Sequence, residues 1–261
     1  MGGAGMIFTI AGKDLKSLFT SPIAWVVLTF VQTLVGYGFL KRFDDFMQIQ
    51  PQLLQLPSPP GFTELVAAPT FSTTAALMLF AVPLLAMRMI AEERRNQTMV
   101  LLTSAPISIL DIVLGKFCAL MGMLLIILAL IALMPLSLAA ATRLDYRLIG
   151  SILLGLTLLA AAFSAVSLYV SSLTTHPIVA ALGAFGALIA MVFMGENVAD
   201  NLQARGLGVL AAFSQVFSPV KNFEPLGRGL IDSYAIICLL LLTALFLALT
   251  VRQLEARRLR G

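Results

Sequence analysis

The residues best suited to polar chemistry form one short patch, Ala91–Thr98, with the sequence Ala-Glu-Glu-Arg-Arg-Asn-Gln-Thr. Charged residues make up only 11% of this 261-residue chain, yet four stand in a row here between two apolar stretches. Lipid excludes charged side chains, so we expect the patch to face water or another protein. The residues after Gln97 mix apolar and polar types and predict a short amphipathic helix at a membrane surface.

We predict that this segment binds a partner, with charges that set the orientation and apolar side chains that supply affinity. The alternative is a solvated loop that merely follows the excess of basic residues on the cytoplasmic side of membranes. That alternative explains the two arginines but not the two glutamates beside them. The predicted contact residues are Glu92, Glu93, Arg94, Arg95, Thr98, Met99, Leu102 and Pro106.

The chain carries no recognisable catalytic or nucleotide-binding motif. Its one histidine, His176, precedes a proline in a short turn, and Cys118 and Cys238 lie in apolar runs without metal-ligand spacing. Neither Gly12-Lys13 nor Gly115-Lys116 has the earlier glycine and the following serine or threonine that a P-loop needs. We therefore expect no catalytic residues, no cofactor and no metal in this chain, and energy-driven work would need a partner.

The composition predicts an all-α integral membrane protein with a single transmembrane domain over residues 1–261. Hydrophobic residues make up 59% of the chain and the mean hydropathy is +0.98, well above the values of soluble domains. Several apolar runs approach or exceed the length that spans a bilayer. Pro83 predicts a kink in the second span, and Pro135 should bend the third or end it early. The six predicted spans are 23–40, 72–90, 117–141, 148–173, 178–195 and 234–251.

An amphipathic helix at the membrane interface is predicted before the first span, over residues 7–20. Its apolar side chains lie on one face and its lysines on another, where they would meet anionic headgroups. The alternative is the first cytosolic turn of a longer helix. The predicted interface residues are Phe8, Lys13, Leu15, Lys16 and Phe19.

The basic residues predict the orientation of the chain. Most of the 17 lysines and arginines fall on the side that holds both termini and the charged patch, whereas most acids fall on the other. Because lysine and arginine mark cytoplasmic segments, both termini and the patch are predicted to be cytoplasmic. The residues on that side are Lys13, Lys16, Arg88, Arg94, Arg95, Lys116, Arg252, Arg257, Arg258 and Arg260.

Two longer connections are predicted on the outer side. Residues 41–71 contain five prolines and should be irregular or only partly helical. Within residues 196–232, the apolar run Leu207–Phe217 is too short to span and should re-enter the membrane or pack on the outer end of the bundle. No Asp, Glu or Lys lies near the middle of a predicted span, which counts against a proton-coupled carrier.

Several stretches of the sequence resemble one family. They are residues 13–27 (KDLKSLFTSPIAWVV), 88–98 (RMIAEERRNQT), 101–106 (LLTSAP), 114–117 (LGKF) and 223–232 (FEPLGRGLID). Together they are similar to the permeases of ABC-2 type ABC transporters, close to the GldF-like and NosY-like branch of gliding-motility and related proteins. The chain departs from that branch in having Asn222 where a histidine is expected before Phe223.

The resemblance implies a fold and a set of partners. It implies six transmembrane helices, an N-terminal amphipathic helix, an outer re-entrant segment and a coupling helix that seats on a cytosolic ABC ATPase, here about 92–106. Two permeases, as a homodimer or a paralogous heterodimer, would pair with two ATPases, which would bind ATP and Mg. The implied setting is the lipid bilayer of the bacterial inner membrane, with a periplasmic or accessory protein as a further candidate partner and no nucleic acid.

The implied function is ATP-driven transport, with export as the expected direction. A second hypothesis is a mechanotransmission or scaffold subunit that moves no substrate and acts on a periplasmic or motility partner. A channel-sized polar path between permeases would favour transport, whereas a dry, leucine- and phenylalanine-filled interface would favour transmission or lipid handling. An intramembrane enzyme is disfavoured because the sequence lacks catalytic residues.

Overall fold

The computed structural model describes residues 3–53, 60–95, 108–140, 142–194 and 215–258, and these residues form helices joined by short connections, without a strand. The third helix begins with a π-helical stretch, Thr63–Ala67, and contains a second one near its end, Arg88–Glu92. In chain order the helices are α1 (Gly3–Thr20), α2 (Pro22–Leu53), α3 (Thr63–Arg95), α4 (Ile109–Leu136), α5 (Tyr146–Leu173), α6 (Pro177–Phe193), α7 (Pro219–Gly227) and α8 (Ser233–Arg258).

Five of these helices, α2, α3, α4, α5 and α8, are long and apolar enough to cross a membrane. The predicted span 178–195 corresponds to α6, which has 17 residues. At a rise of about 1.5 Å per residue it measures about 25 Å, a little less than a hydrocarbon core of about 30 Å. A count of six crossings therefore stays a prediction.

Several helices begin where a polar side chain satisfies the first backbone N–H groups. The Ser108 hydroxyl accepts from the backbone N–H of Leu110, and Asp145 accepts from Arg147 and Leu148. Helix α4 consequently begins eight residues before the predicted residue 117. It ends at Leu136, one residue after Pro135, which agrees with the early end expected of that proline.

For residues 41–71 the prediction of an irregular segment is wrong where 41–53 and 63–71 are described as helical, whereas the alternative of a partly helical segment is not contradicted. Helix α2 continues through residue 53, well past the predicted end at 40, and α3 begins at Thr63. The extension holds because Phe39 and Phe46 pack on Phe62 and Val66 in a small cluster of their own. The Phe46 and Phe62 rings meet edge to face with centroids 5.5 Å apart, an arrangement that stabilises aromatic pairs.

The centre of the bundle is formed by α3 and α5. Of the most hydrophobic stretch of 18 residues, 67% is buried in α3 and in α5, compared with 28% in α2 and 33% in α8. Helix α7 packs closely on α5, because Gly155 leaves room for the Leu226 and Phe223 side chains. Of the predicted re-entrant run Leu207–Phe217, residues 207–214 lie outside the described part of the chain, so re-entry stays a prediction.

Candidate functional site

The charged patch begins on the last turns of α3. Glu92 closes the π-helical stretch, and Glu93–Arg95 continue as α-helix. The described start of the predicted 92–106 helix is therefore an extension of the second predicted span rather than a separate element. Four predicted contact residues, Thr98, Met99, Leu102 and Pro106, lie outside the described residues.

The carboxylate of Glu93 takes part in a buried ionic cluster that joins three helices. The ammonium Nζ of Lys116 on α4 lies 2.6 Å from Oε2 of Glu93 and 3.0 Å from Oδ2 of Asp14 on α1. The Lys116 side chain is 1% exposed and that of Asp14 is 6% exposed. We call Asp14, Glu93 and Lys116 the charge junction. It ties the end of α3 to the N-terminal helix and to the start of α4.

The sequence of α1 explains how an acid reaches this position. Ile10, Asp14 and Leu18 are spaced by four residues and share one buried face. That face lies on α4 at Gly115, where an added Cβ would stand 2.7 Å from Cγ2 of Ile10. A glycine is therefore needed for α1 to approach closely enough for Asp14 to reach the neighbouring Lys116.

Further charges surround the junction. Nζ of Lys13 lies 3.8 Å from both Asp14 and Glu93, and Nη2 of Arg88 donates to Oε1 of Glu92 over 3.0 Å. A cavity of about 230 Å³ opens beside them, lined by equal numbers of acidic and basic side chains. Its lining residues are Lys13, Asp14, Ser17, Leu18, Arg88, Met89, Glu92, Glu93 and Lys116.

A second set of bonds ties the end of α3 to the end of α5. Nη1 of Arg94 donates to the carbonyl oxygen of Ser172 over 2.7 Å, and Arg257 on α8 donates to that of Leu173 over 2.9 Å. The last carbonyls of a helix carry partial negative charge, so two guanidinium groups stabilise this end. The hydroxyl of Ser171 also accepts from the backbone N–H of Ala91 over 3.1 Å.

This arrangement is suited to mechanical coupling rather than to bond chemistry. Lys116 and Asp14 are buried, so removing the partner of either leaves a buried charge uncompensated. The end of α3 is thus held by α1, α4 and α5 at once. Any displacement of the chain that follows Arg95 must either carry these helices along or break the contacts.

The sequence-predicted residues fall in different surroundings. Arg95 is exposed, Glu92 pairs with Arg88, and Glu93 and Arg94 bind within the chain. On α1, Phe8 is 76% exposed, Lys13 and Lys16 are exposed, and Leu15 and Phe19 pack partly against the core. The roles assigned to these residues at a partner and at the membrane interface stay predictions.

Sequence reasoning missed Asp14, Lys116 and Ser171 as parts of the site. Asp14 carried a signal, because it occupies the same helical face as Ile10 and Leu18 and an acid there needs a buried partner. The sequence also offered a signal for Lys116, because a lysine that interrupts the apolar run of α4 needs a polar partner. Ser171 carried none, since serines are common on helices of this kind.

The chain is similar to one described protein family over nearly its whole length. A family model described as "ABC-2 family transporter protein" matches residues 8–258. The matched region includes the charge junction and all of α2 to α8. No curated protein sequence gives a significant match.

Proposed function

Because the chain belongs to the ABC-2 family of transporter proteins and is therefore a membrane permease subunit, we propose that it couples ATP hydrolysis in a cytosolic ATPase to export across the bacterial inner membrane. The observation that carries this proposal is the charge junction. It joins the base of the predicted coupling segment to α1 and α4 through Glu93, and the separate contact of Arg94 joins the same base to α5.

The proposed mechanism is mechanical. ATP closes two partner ATPases, and their motion displaces the segment around residues 96–106. Glu93 passes the displacement to Lys116 on α4 and Asp14 on α1, while Arg94 passes it to the end of α5. Met99 and Leu102 supply apolar contacts to the ATPase, and Arg95, which is exposed, supplies a charged one. The helices then shift together and open a path beside a second permease.

One observation favours the second candidate function, mechanotransmission or lipid handling without a polar channel. A groove of about 80 Å³ between α2 and α3 is lined only by apolar side chains, among them Phe30 and Phe80. Exposed apolar residues such as Trp25 and Val26 extend that surface along α2. Such a surface suits lipid, an amphipathic cargo or a dry contact with a second permease better than it suits a small ion.

The test is purification of the tagged full-length chain from its native membranes. We expect an ABC ATPase to co-purify and the complex to hydrolyse Mg-ATP. Arg95→Glu should lower the recovered ATPase about fivefold, the effect of roughly 1 kcal/mol in binding. Arg95 is preferred over Glu93 for this test because reversing Glu93 would also disrupt the charge junction.

The matched control is Arg258→Glu, which reverses another exposed arginine at the same end of the bundle. It should leave the recovered ATPase unchanged. Absence of any ATPase from the wild-type preparation would refute the proposed function. Equal recovery of the ATPase with Arg95→Glu and Arg258→Glu would show that Arg95 does not contribute to the contact with the ATPase.

A further inference from the structure

The π-helical turn Arg88–Glu92 contains an interrupted hydrogen bond. In an α-helix the backbone N–H of Ala91 would donate to the carbonyl of Met87, four residues earlier. Here the Ser171 hydroxyl accepts from that N–H over 3.1 Å and makes a long contact of 3.5 Å to the Met87 carbonyl. A side chain of α5 thus stands between two groups of α3 that would otherwise bond directly.

We propose that Ser171 is a positioning residue that holds this turn of α3 in its π-helical register, and that release of the register is the step by which the coupling segment moves the bundle. The second half of this inference rests on the proposed function. Ser171 is fully buried, so its hydroxyl cannot exchange these bonds for bulk water. Single π-helical turns within α-helices are uncommon and frequently stand at functional sites.

The geometry of a helix sets the size of the movement. Returning the turn to α-helical register rotates everything after it by about 100° and shifts it along the axis by about 1.5 Å. Glu93 and Arg94 follow the turn directly, and both are engaged with other helices over 2.6 Å and 2.7 Å. The rotation would withdraw Glu93 from Lys116 and Arg94 from α5, which makes the turn a two-state element.

The same helix offers a matched control. Ser167 lies one turn before Ser171 and is also buried, at 1% exposed. Its hydroxyl makes no hydrogen bond within the described part of the chain. Ser167→Ala therefore removes a buried hydroxyl from α5 without touching the π-helical turn.

The primary experiment measures distances between spin labels in the full-length chain in lipid nanodiscs, with Cys118 and Cys238 replaced by alanine. A label pair at Arg95→Cys and Arg252→Cys reports on the chain after the turn. A pair at Leu84→Cys and Arg252→Cys reports on α3 before it. All three labelled positions are exposed.

In Ser171→Ala we expect the distance distribution of the first label pair to gain a second population, displaced by on the order of 5 Å. The distance distribution of the second pair should stay as in the wild type. Ser167→Ala should change neither pair, and Ser171→Thr, which keeps a hydroxyl, should restore the wild-type distribution. If the distance distribution of the first label pair were unchanged in Ser171→Ala, the inference would be overturned. Equal displacement of both pairs would also overturn it, because the change would then not originate at the turn.

A second experiment tests the coupling step in the complex with the ATPase. In the chain without spin labels, so that Arg95 keeps its proposed contact with the ATPase, Ser171→Ala should change the rate of ATP hydrolysis by about threefold or more relative to Ser167→Ala. Identical rates of hydrolysis in Ser171→Ala and Ser167→Ala would contradict the coupling role. If no ATPase co-purifies, the proposed function fails, while the distance experiment still decides whether Ser171 sets the register.

Discussion

At the scale of the residue, Lys116 is the side chain on which the site depends. A single ammonium group pairs with two carboxylates that come from different helices, and its own side chain is 1% exposed. Buried ion pairs of this kind add little net stability compared with an apolar core, but they specify which groups meet. Lys116 therefore fixes the position of α1 and of the end of α3 relative to α4.

Replacement of Lys116 by methionine should destabilise the protein more than loss of a surface charge. The apolar stem is kept, but the carboxylates of Asp14 and Glu93 lose their buried partner and keep only the exposed Lys13, 3.8 Å from each, which costs about 3 kcal/mol. Thermal unfolding of the purified protein in detergent measures the effect. Lys16→Met, at an exposed lysine of α1, should change stability by less than about 0.5 kcal/mol.

Neutralising the two acids as well should recover part of the loss. In the triple variant Lys116→Met, Asp14→Asn, Glu93→Gln no uncompensated charge remains, so the melting temperature should rise above that of Lys116→Met alone. A triple variant that is less stable than the single one would show that the carboxylates act independently of Lys116.

At the scale of the element, the contact between α1 and α4 decides whether the N-terminal helix belongs to the bundle. The predicted apolar face of α1 consists of Phe8, Ala11, Leu15, Leu18 and Phe19. The buried stripe is Ile10, Asp14 and Leu18, so only Leu18 belongs to both. The helix is thus turned so that its buried acid faces α4, and Phe8 is left exposed. This orientation requires the close approach at Gly115.

Gly115→Ala should loosen or displace α1. The new methyl group would stand 2.7 Å from Ile10 Cγ2, and such overpacking costs about 1–3 kcal/mol. We expect a lower melting temperature and faster proteolysis within α1. The matched control, Gly186→Ala on α6, places a methyl group where no atom lies within 4 Å, so it should be neutral or slightly stabilising through helix propensity. Relief of the Gly115→Ala defect by Ile10→Ala would assign it to this contact.

At the scale of the whole molecule, one end of the bundle gathers α1, the end of α3, the start of α4 and the ends of α5 and α8. The opposite end holds the extension of α2 and the contact of Thr63 with the backbone N–H of Asp145, 2.9 Å long. Because the predicted cytoplasmic charges lie at the first end, displacement by an ATPase there would act on five helices at once.

The orientation can be tested by labelling intact cells with a membrane-impermeant maleimide. Single cysteines at Gln52 and Arg258, in a background without Cys118 and Cys238, mark the two ends through exposed positions. We expect Gln52→Cys to react in intact cells and Arg258→Cys to react only after lysis, since basic residues mark the cytoplasmic side. The reverse pattern would place the charge junction outside the cell and exclude coupling to a cytosolic ATPase.

The sequence determined the features that depend on neighbouring residues. Apolar runs long enough for a bilayer predicted the helices, and the predicted starts at residues 23 and 178 lie one residue from the observed starts at Pro22 and Pro177. Local patterns failed where distant contacts decide. Helix α2 continues past residue 40 because Phe46 packs against Phe62. The hydrophobic periodicity of α2 cannot reveal this contact, because Phe62 lies outside α2.

Only the tertiary structure decided the site. Asp14 and Lys116 are separated by 102 residues, and neither helix alone indicates which charge meets which. The π-helical register of Arg88–Glu92 likewise depends on a hydroxyl from α5, because Ser171 occupies the place of a bond that α3 would otherwise make with itself. The sequence located the charged patch and its class of protein. The packing of α1, α4 and α5 around it determined what each charge binds, since burial leaves a charged group stable only beside its partner.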